Sequence, residues 1–139
     1  MTVRNFARWA GIVFVLVGIL GFIPGITPMM GDSSGLRVTS SNGMLLGLFH
    51  VNLLHNIVHI LLGLWGLASA GSHGAAVGYA RGITYVYGIL AVLGLIPATN
   101  TLFGLVPIGG ADVGLHIVLA IVAAYFGWGV RDRGTPARA

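Results

Sequence analysis

Four apolar runs, at about 7–27, 44–69, 78–97 and 111–130, constrain this chain more than any motif in it. Each is close to the roughly 20 residues an α-helix needs to cross the hydrocarbon core of a bilayer. Charge is nearly absent: 7% of residues are charged and 56% hydrophobic, with a mean hydropathy of +0.94. An ordinary soluble domain carries about 25% charged residues. The expected fold is therefore all-α, an integral membrane four-helix bundle forming one domain over residues 1–139. Arg4 and Arg8 before the first run resemble the start of a signal peptide. No small-residue cleavage site follows, and the run ends in "GFIPGITPMM", so it reads as a retained span.

The arginines orient the bundle. Arg4 and Arg8 precede the first span, Arg81 sits near the short connection "AGSHGAAVGYA", and Arg131, Arg133 and Arg138 follow the last span, whereas the other side holds only Arg37. The positive-inside rule places both termini in the cytoplasm, with a bacterial inner membrane as the expected location. Trp9, Tyr79, Tyr125 and Trp128 fall at the same helix ends, where amphipathic rings settle at the interface. Two longer connections then lie outside. "PMMGDSSGLRVTSSNG" is polar and turn-rich, with Ser41 or Asn42 as the expected N-cap of the second helix. "ATNTLFGLVPIGG" is semi-apolar, with Pro107 and a Gly pair, and is expected to lie on or dip into the membrane as a lid.

Glycine is abundant, at 23 residues, and Gly21/Gly25, Gly43/Gly47 and Gly78/Gly82 make small-xxx-small pairs that let helices approach closely. An internal repeat of two helical hairpins is also legible. "GFIPGIT" and "GLIPATN" share a Gly-x-Ile-Pro core, and a shift of 57 residues sets His55 on Asp112 and His59 on His116.

The second run contains "FHVNLLHNIVHI", three histidines and two asparagines where lipid-facing residues are expected. At ~100° per residue, with His55 at zero, His59 falls near ~40°, Asn52 near ~60° and Asn56 near ~100°, with Gly66 and Gly63 on the same face. His50 falls on the opposite side, as a structural or interface residue, and His73 reads as a solvated loop residue. Unpaired imidazoles and carboxamides against lipid are costly, so the polar face must turn into the bundle. The fourth run supplies Asp112 and His116, again at i and i+4, and Asn100 and Thr101 stand at the outer mouth. His116 is expected about one turn below the outer surface, and His55 and His59 two or three turns.

Three readings fit this constellation. His55, His59, Asp112 and His116 offer nitrogen and oxygen ligands for a transition metal such as Zn, Cu or Fe, or a histidine axial ligand for haem, with Asn52, Asn56, Asn100 and Thr101 completing a cofactor pocket. The same groups can hydrogen-bond the polar head of a quinone or lipid-like ligand. Or they are interhelical glue in an accessory subunit, a homo-oligomer or a larger membrane complex. With no cysteine and no glutamate, thiolate sites and a glutamate general base are absent. The high pI comes from arginines near the chain ends rather than from a basic face, which argues against nucleic acid as a partner. Nothing resembles a phosphate loop or a nucleophile triad, so a binding protein is expected ahead of an enzyme.

"GLFHVNLLHNIVHILLGLWGL" followed by "ATNTLFGLVPIGGADVGLHIVLA" resembles a family of small bacterial four-helix membrane proteins, frequent in actinobacteria and classed as a domain of unknown function. The resemblance covers nearly the whole chain. It implies a four-helix integral membrane fold and a role for Asn52, His55, Asn56, His59, Asp112 and His116; it brings no established activity.

Overall fold

The structure, a computed structural model, describes residues 1–31 and 35–130. These form four α-helices, α1 (Val3–Leu20), α2 (Leu53–Ser69), α3 (His73–Leu95) and α4 (Ala111–Ala124), the last continued by a π-helical turn, Tyr125–Gly129. A two-stranded antiparallel hairpin, β1 (Gly43–Leu45) and β2 (Phe49–Val51), precedes α2. Three helices, Val3–Leu20, His73–Leu95 and Ala111–Gly129, are long and apolar enough to cross a membrane. With 17 residues, α2 is ~25 Å long, shorter than a ~30 Å hydrocarbon core.

Side-chain caps set three of the helix starts. Thr2 accepts from the Asn5 N–H, Asn52 from the His55 N–H and Ser72 from the Ala75 N–H, each satisfying an amide that no helical carbonyl can reach. The ends of α1 and α3 are alike. Both stop in a Gly-x-Ile-Pro, where the proline cannot continue the helix, and a following threonine closes back on the helix end. Thr27 Oγ1 donates to the Leu20 carbonyl at 3.0 Å, and Thr99 Oγ1 donates to the Leu93 carbonyl at 2.7 Å.

The second apolar run departs from the expected helix. Residues 43–51 pair as a hairpin, and α2 begins only at Leu53, capped by Asn52 rather than by Ser41 or Asn42. Hydropathy cannot separate the two because "GMLLGLFHV" is apolar at every position but His50. What breaks the helix is the turn: Leu46 and Gly47 have φ of 53° and 70°, the left-handed region. Leu45 and Val51 then point into the molecule, and Met44 and His50 point away on the other face. Met29 bridges to Gly43 on the outer side of β1.

α1 and α2 run antiparallel at close range, and of the expected pairs only one member each is close-packed, Gly21 against Asn56 of α2, Gly43 against the Pro28 carbonyl and Gly82 against Trp65. A Cβ on Gly11 would stand 2.8 Å from the Gly63 carbonyl, and one on Gly18 2.6 Å from the Asn56 carbonyl. Gly25, Gly47 and Gly78 face open space instead. Spacing alone does not select the seam; the face a helix turns to its neighbour does.

At the end of the bundle near the chain termini, buried rings form the core. Phe6 stacks on Phe126 at 4.7 Å, and Tyr79 packs edge-on against Trp65 at 4.9 Å. Tyr79 is fully buried, unlike the interfacial ring expected there, whereas Trp9, Tyr125 and Trp128 are exposed. Arg4 Nε donates to the Ala70 carbonyl, and Arg81 Nε donates to the Gly127 carbonyl with its guanidinium 5.1 Å from the Trp128 ring. Arg131, Arg133 and Arg138 lie outside the described residues.

The hairpin end is closed by loops that bond to one another. Arg37 N–H donates to the Gly104 carbonyl at 2.7 Å, and Asn52 Nδ2 donates to the carbonyls of Val38 and Leu105. Leu102 and Phe103, with φ of 44° and 59°, make a turn closed by Gly104 N–H on the Thr101 carbonyl at 3.0 Å. Two successive non-glycine residues in this region store strain of order 1–3 kcal/mol each.

Candidate functional site

The late start of α2 changes the depth of its histidines. His55 is the third residue of α2 and Asp112 the second of α4, so the two i, i+4 pairs, His55/His59 and Asp112/His116, occupy corresponding turns. The expected difference in depth disappears because residues counted as two helical turns are hairpin. All four side chains are buried, between 2% and 7% exposed. They line one small cavity of about 100 Å³.

A second cavity of about 180 Å³ adjoins it. His55, His59, His116 and Tyr87 are among its lining residues; Val58 and Leu62 of α2 and Val86 and Leu90 of α3 form apolar walls; Leu102, Val106 and Ile108 of the 96–110 loop cover it. Val58 is 42% exposed, and Leu62, Val86 and Leu90 are part-exposed, so the slot opens on the apolar exterior between α2 and α3.

The rings take up a specific arrangement. His55 and His59 stack at 4.6 Å with an interplanar angle of 22°. His59 Nδ1 lies 3.1 Å from the His55 carbonyl; a carbonyl only accepts, so Nδ1 carries the proton and Nε2 keeps its lone pair. Phe14 meets His59 edge-on at 5.6 Å, and Tyr87 lies 5.1 Å from His116. His55 Nδ1, His116 Nδ1, the Tyr87 hydroxyl and Asp112 Oδ2 are buried with no hydrogen-bond partner in the protein. A buried polar atom left in that state costs on the order of 1–3 kcal/mol.

A metal bound by imidazole sits in the ring plane about 2.0–2.1 Å from nitrogen. Two nearly parallel rings 4.6 Å apart do not aim their lone pairs at one point. Among the described residues, no group of three or more His, Cys, Asp or Glu side chains is disposed to hold a metal ion. The two cavities, about 180 and 100 Å³, are smaller than the ~300 Å³ at which enclosed pockets for drug-sized ligands begin, so they enclose only a small head group and a larger ligand would extend out of them.

The residues expected around these histidines are dispersed. Asn52 is the α2 cap and a tie to two loops. Asn56 turns toward α1, its carboxamide against Gly21, with Nδ2 unpartnered. Asn100 and Thr101 line a different cavity of about 420 Å³, together with Met44, His50 and the start of α4. Residues 101–108 separate the two spaces: Leu102, Val106 and Ile108 line the inner slot, whereas Thr101 and Pro107 line the outer cavity. His50 sits in β2, its Nε2 2.6 Å from Asn42 Oδ1. His73 opens α3 as its first residue rather than lying in a loop.

Tyr87 was not among the expected site residues. A signal for it exists in the sequence, because it sits mid-span, far from the interface where tyrosine usually settles in membrane helices.

Comparison with known proteins adds a family. The family model described as "Domain of unknown function (DUF4383)" matches residues 4–129. No curated protein and no solved structure matches the chain.

Proposed function

We propose that this chain, which belongs to the DUF4383 family, is a bacterial inner-membrane protein that binds a small bilayer-borne molecule with a hydrogen-bonding head, of the quinone or lipid-like class. Both termini lie in the cytoplasm, so the hairpin end faces outward. The observation that carries this reading is the slot between α2 and α3. Its apolar walls open where hydrocarbon would lie, and its back presents His55, His59, His116 and Tyr87, with three buried polar atoms that bond to nothing in the protein.

The arrangement suits a ligand carbonyl or hydroxyl. The Tyr87 hydroxyl donates, and His59, whose N–H is held by the His55 carbonyl, offers the lone pair of Nε2, so an acceptor or a donor can be matched without moving a helix. Apolar walls hold the body of the ligand and a few polar groups fix its orientation, the usual division of labour in small-molecule sites. Glue accounts for only part of this set: His55 bonds to the Pro107 backbone of the 96–110 loop, but His59 bonds within its own helix, and His55 Nδ1 and His116 Nδ1 have no partner in the protein.

The test is calorimetric titration of detergent-purified protein with a short-tailed quinone. Saturable one-to-one binding that weakens at least tenfold in both Tyr87→Phe and His116→Leu supports the reading. Absence of saturable binding, or wild-type affinity in both folded variants, overturns it. A stoichiometric transition metal in purified wild type that disappears in a His55→Ala, His59→Ala double variant would favour a metal centre instead.

A further inference from the structure

The outer cavity of about 420 Å³ has a chemistry of its own, independent of the histidine slot. Met44 and His50 are directly opposite each other in the hairpin register. Facing residues on one side of an antiparallel pair have Cβ atoms ~4.5–5.5 Å apart, close enough for their side chains to meet. Both line the cavity, on the hairpin face turned away from buried Leu45 and Val51.

Asn42, in the turn just before β1, places Oδ1 2.6 Å from His50 Nε2. The amide oxygen only accepts, so Nε2 carries the proton and Nδ1 keeps its lone pair. Holding one ring nitrogen by a hydrogen bond is how metal-ligating histidines are fixed in tautomer and orientation. Thioether sulfur and neutral imidazole are donors for soft ions. Among the described residues no carboxylate lines the cavity, and the other polar side chains lining it are the neutral Asn100 and Thr101, a poor set for Mg²⁺ or Ca²⁺.

We propose that Met44 Sδ and His50 Nδ1 form a binding site for one soft monovalent metal ion of the Cu(I) class at the hairpin end of the bundle. Two donors satisfy such an ion, which accepts low coordination numbers, whereas Zn²⁺ seeks about four ligands. Residues 101–108 stand between this site and the slot, so either site can fail alone.

Silver(I) is the probe because it shares the ligand preference of Cu(I) and does not change oxidation state. The chain has no cysteine, so no thiolate competes. Detergent-purified full-length protein should bind one equivalent of silver(I) saturably. Affinity should fall at least tenfold in Met44→Leu and in His50→Gln and stay within twofold in a Met29→Leu, Met30→Leu control, and zinc(II) should bind at least tenfold more weakly than silver(I). Met44→Leu keeps the apolar volume, and its melting curve shows whether it is folded; if His50→Gln does not fold, Met44→Leu decides. No saturable silver(I) binding by wild type, undiminished binding by folded Met44→Leu, loss confined to the Met29/Met30 control, or zinc(II) binding as tightly as silver(I) would each overturn the proposal.

Discussion

The two ends of the bundle are built from different materials. Toward the termini, Phe6 stacks on Phe126, Trp65 meets Tyr79, and Gly11 and Gly63 bring α1 and α2 into backbone contact. The unpartnered Tyr79 hydroxyl is the exception in this otherwise apolar packing. Toward the hairpin, the interior holds two imidazoles, a phenol and a carboxyl with polar atoms that bond to nothing, around two small cavities. Phe14 marks the border, edge-on to His59 on one side and stacked on Tyr87 at 5.6 Å. One end contributes packing that holds the helices together; the other leaves polar groups unpaired and gives up part of that contribution. A ligand site drawn from the less stable part of a structure is the general expectation.

Substitutions on either side of the border give the sharpest test of this division. Phe14→Ala should cost about 3 kcal/mol, the range for deleting a buried aromatic ring. His116→Leu removes a polar atom that has no partner, so it should leave stability within about 1.5 kcal/mol of wild type while weakening the proposed binding of a short-tailed quinone at least tenfold. Thermal melts in one detergent measure both, and equal losses in the two variants would erase the distinction between the ends.

A smaller effect is expected at the joint between hairpin and α2. Asn52→Ala should cost about 1–2 kcal/mol, because it removes the α2 cap and both ties to the loops. Faster amide exchange in residues 53–56 with unchanged exchange in α3 would place that loss at the hairpin end; uniform acceleration would contradict it.

The smallest effect is a pH dependence. Burial depresses the folded-state pKa of His50 below the 6.5 of the free side chain, so the folded protein binds its proton less readily than the unfolded chain. Its contribution to stability is present above pH 6.5 and is lost as pH falls from there through the folded-state pKa. The wild-type melting temperature should therefore drop more steeply below that pH than that of His50→Gln; parallel curves would exclude His50 as the source.

Much of this was legible in the residues, and the errors have identifiable causes. The pairs His55/His59 and Asp112/His116 could be recognised from i, i+4 spacing, and the structure brings them to one cavity. Asn52 and Asn56 share a wheel face with them, yet Asn52 precedes the helix and Asn56 turns to α1, because a wheel drawn through residue 52 assumes a helix that had not begun. Asn100 and Thr101 were expected near the histidines by position in the chain, but the turn at Leu102 and Phe103 sends them to the opposite side of the loop.

By itself, the sequence determined the helical, membrane-length character of the chain. Runs of apolar residues near 20 long have few ways to satisfy their backbone in hydrocarbon, and the intrahelical hydrogen bonds that do so are local. It also determined that no thiolate or glutamate takes part in any chemistry, since the composition lacks cysteine and glutamate. Only the tertiary structure decided where α2 begins, which glycines form the α1/α2 seam, and that Tyr87 from a third helix lines the same cavity as the histidines. Those outcomes depend on contacts between segments distant in the chain, where the face a residue presents is set by what packs against it rather than by its neighbours in sequence.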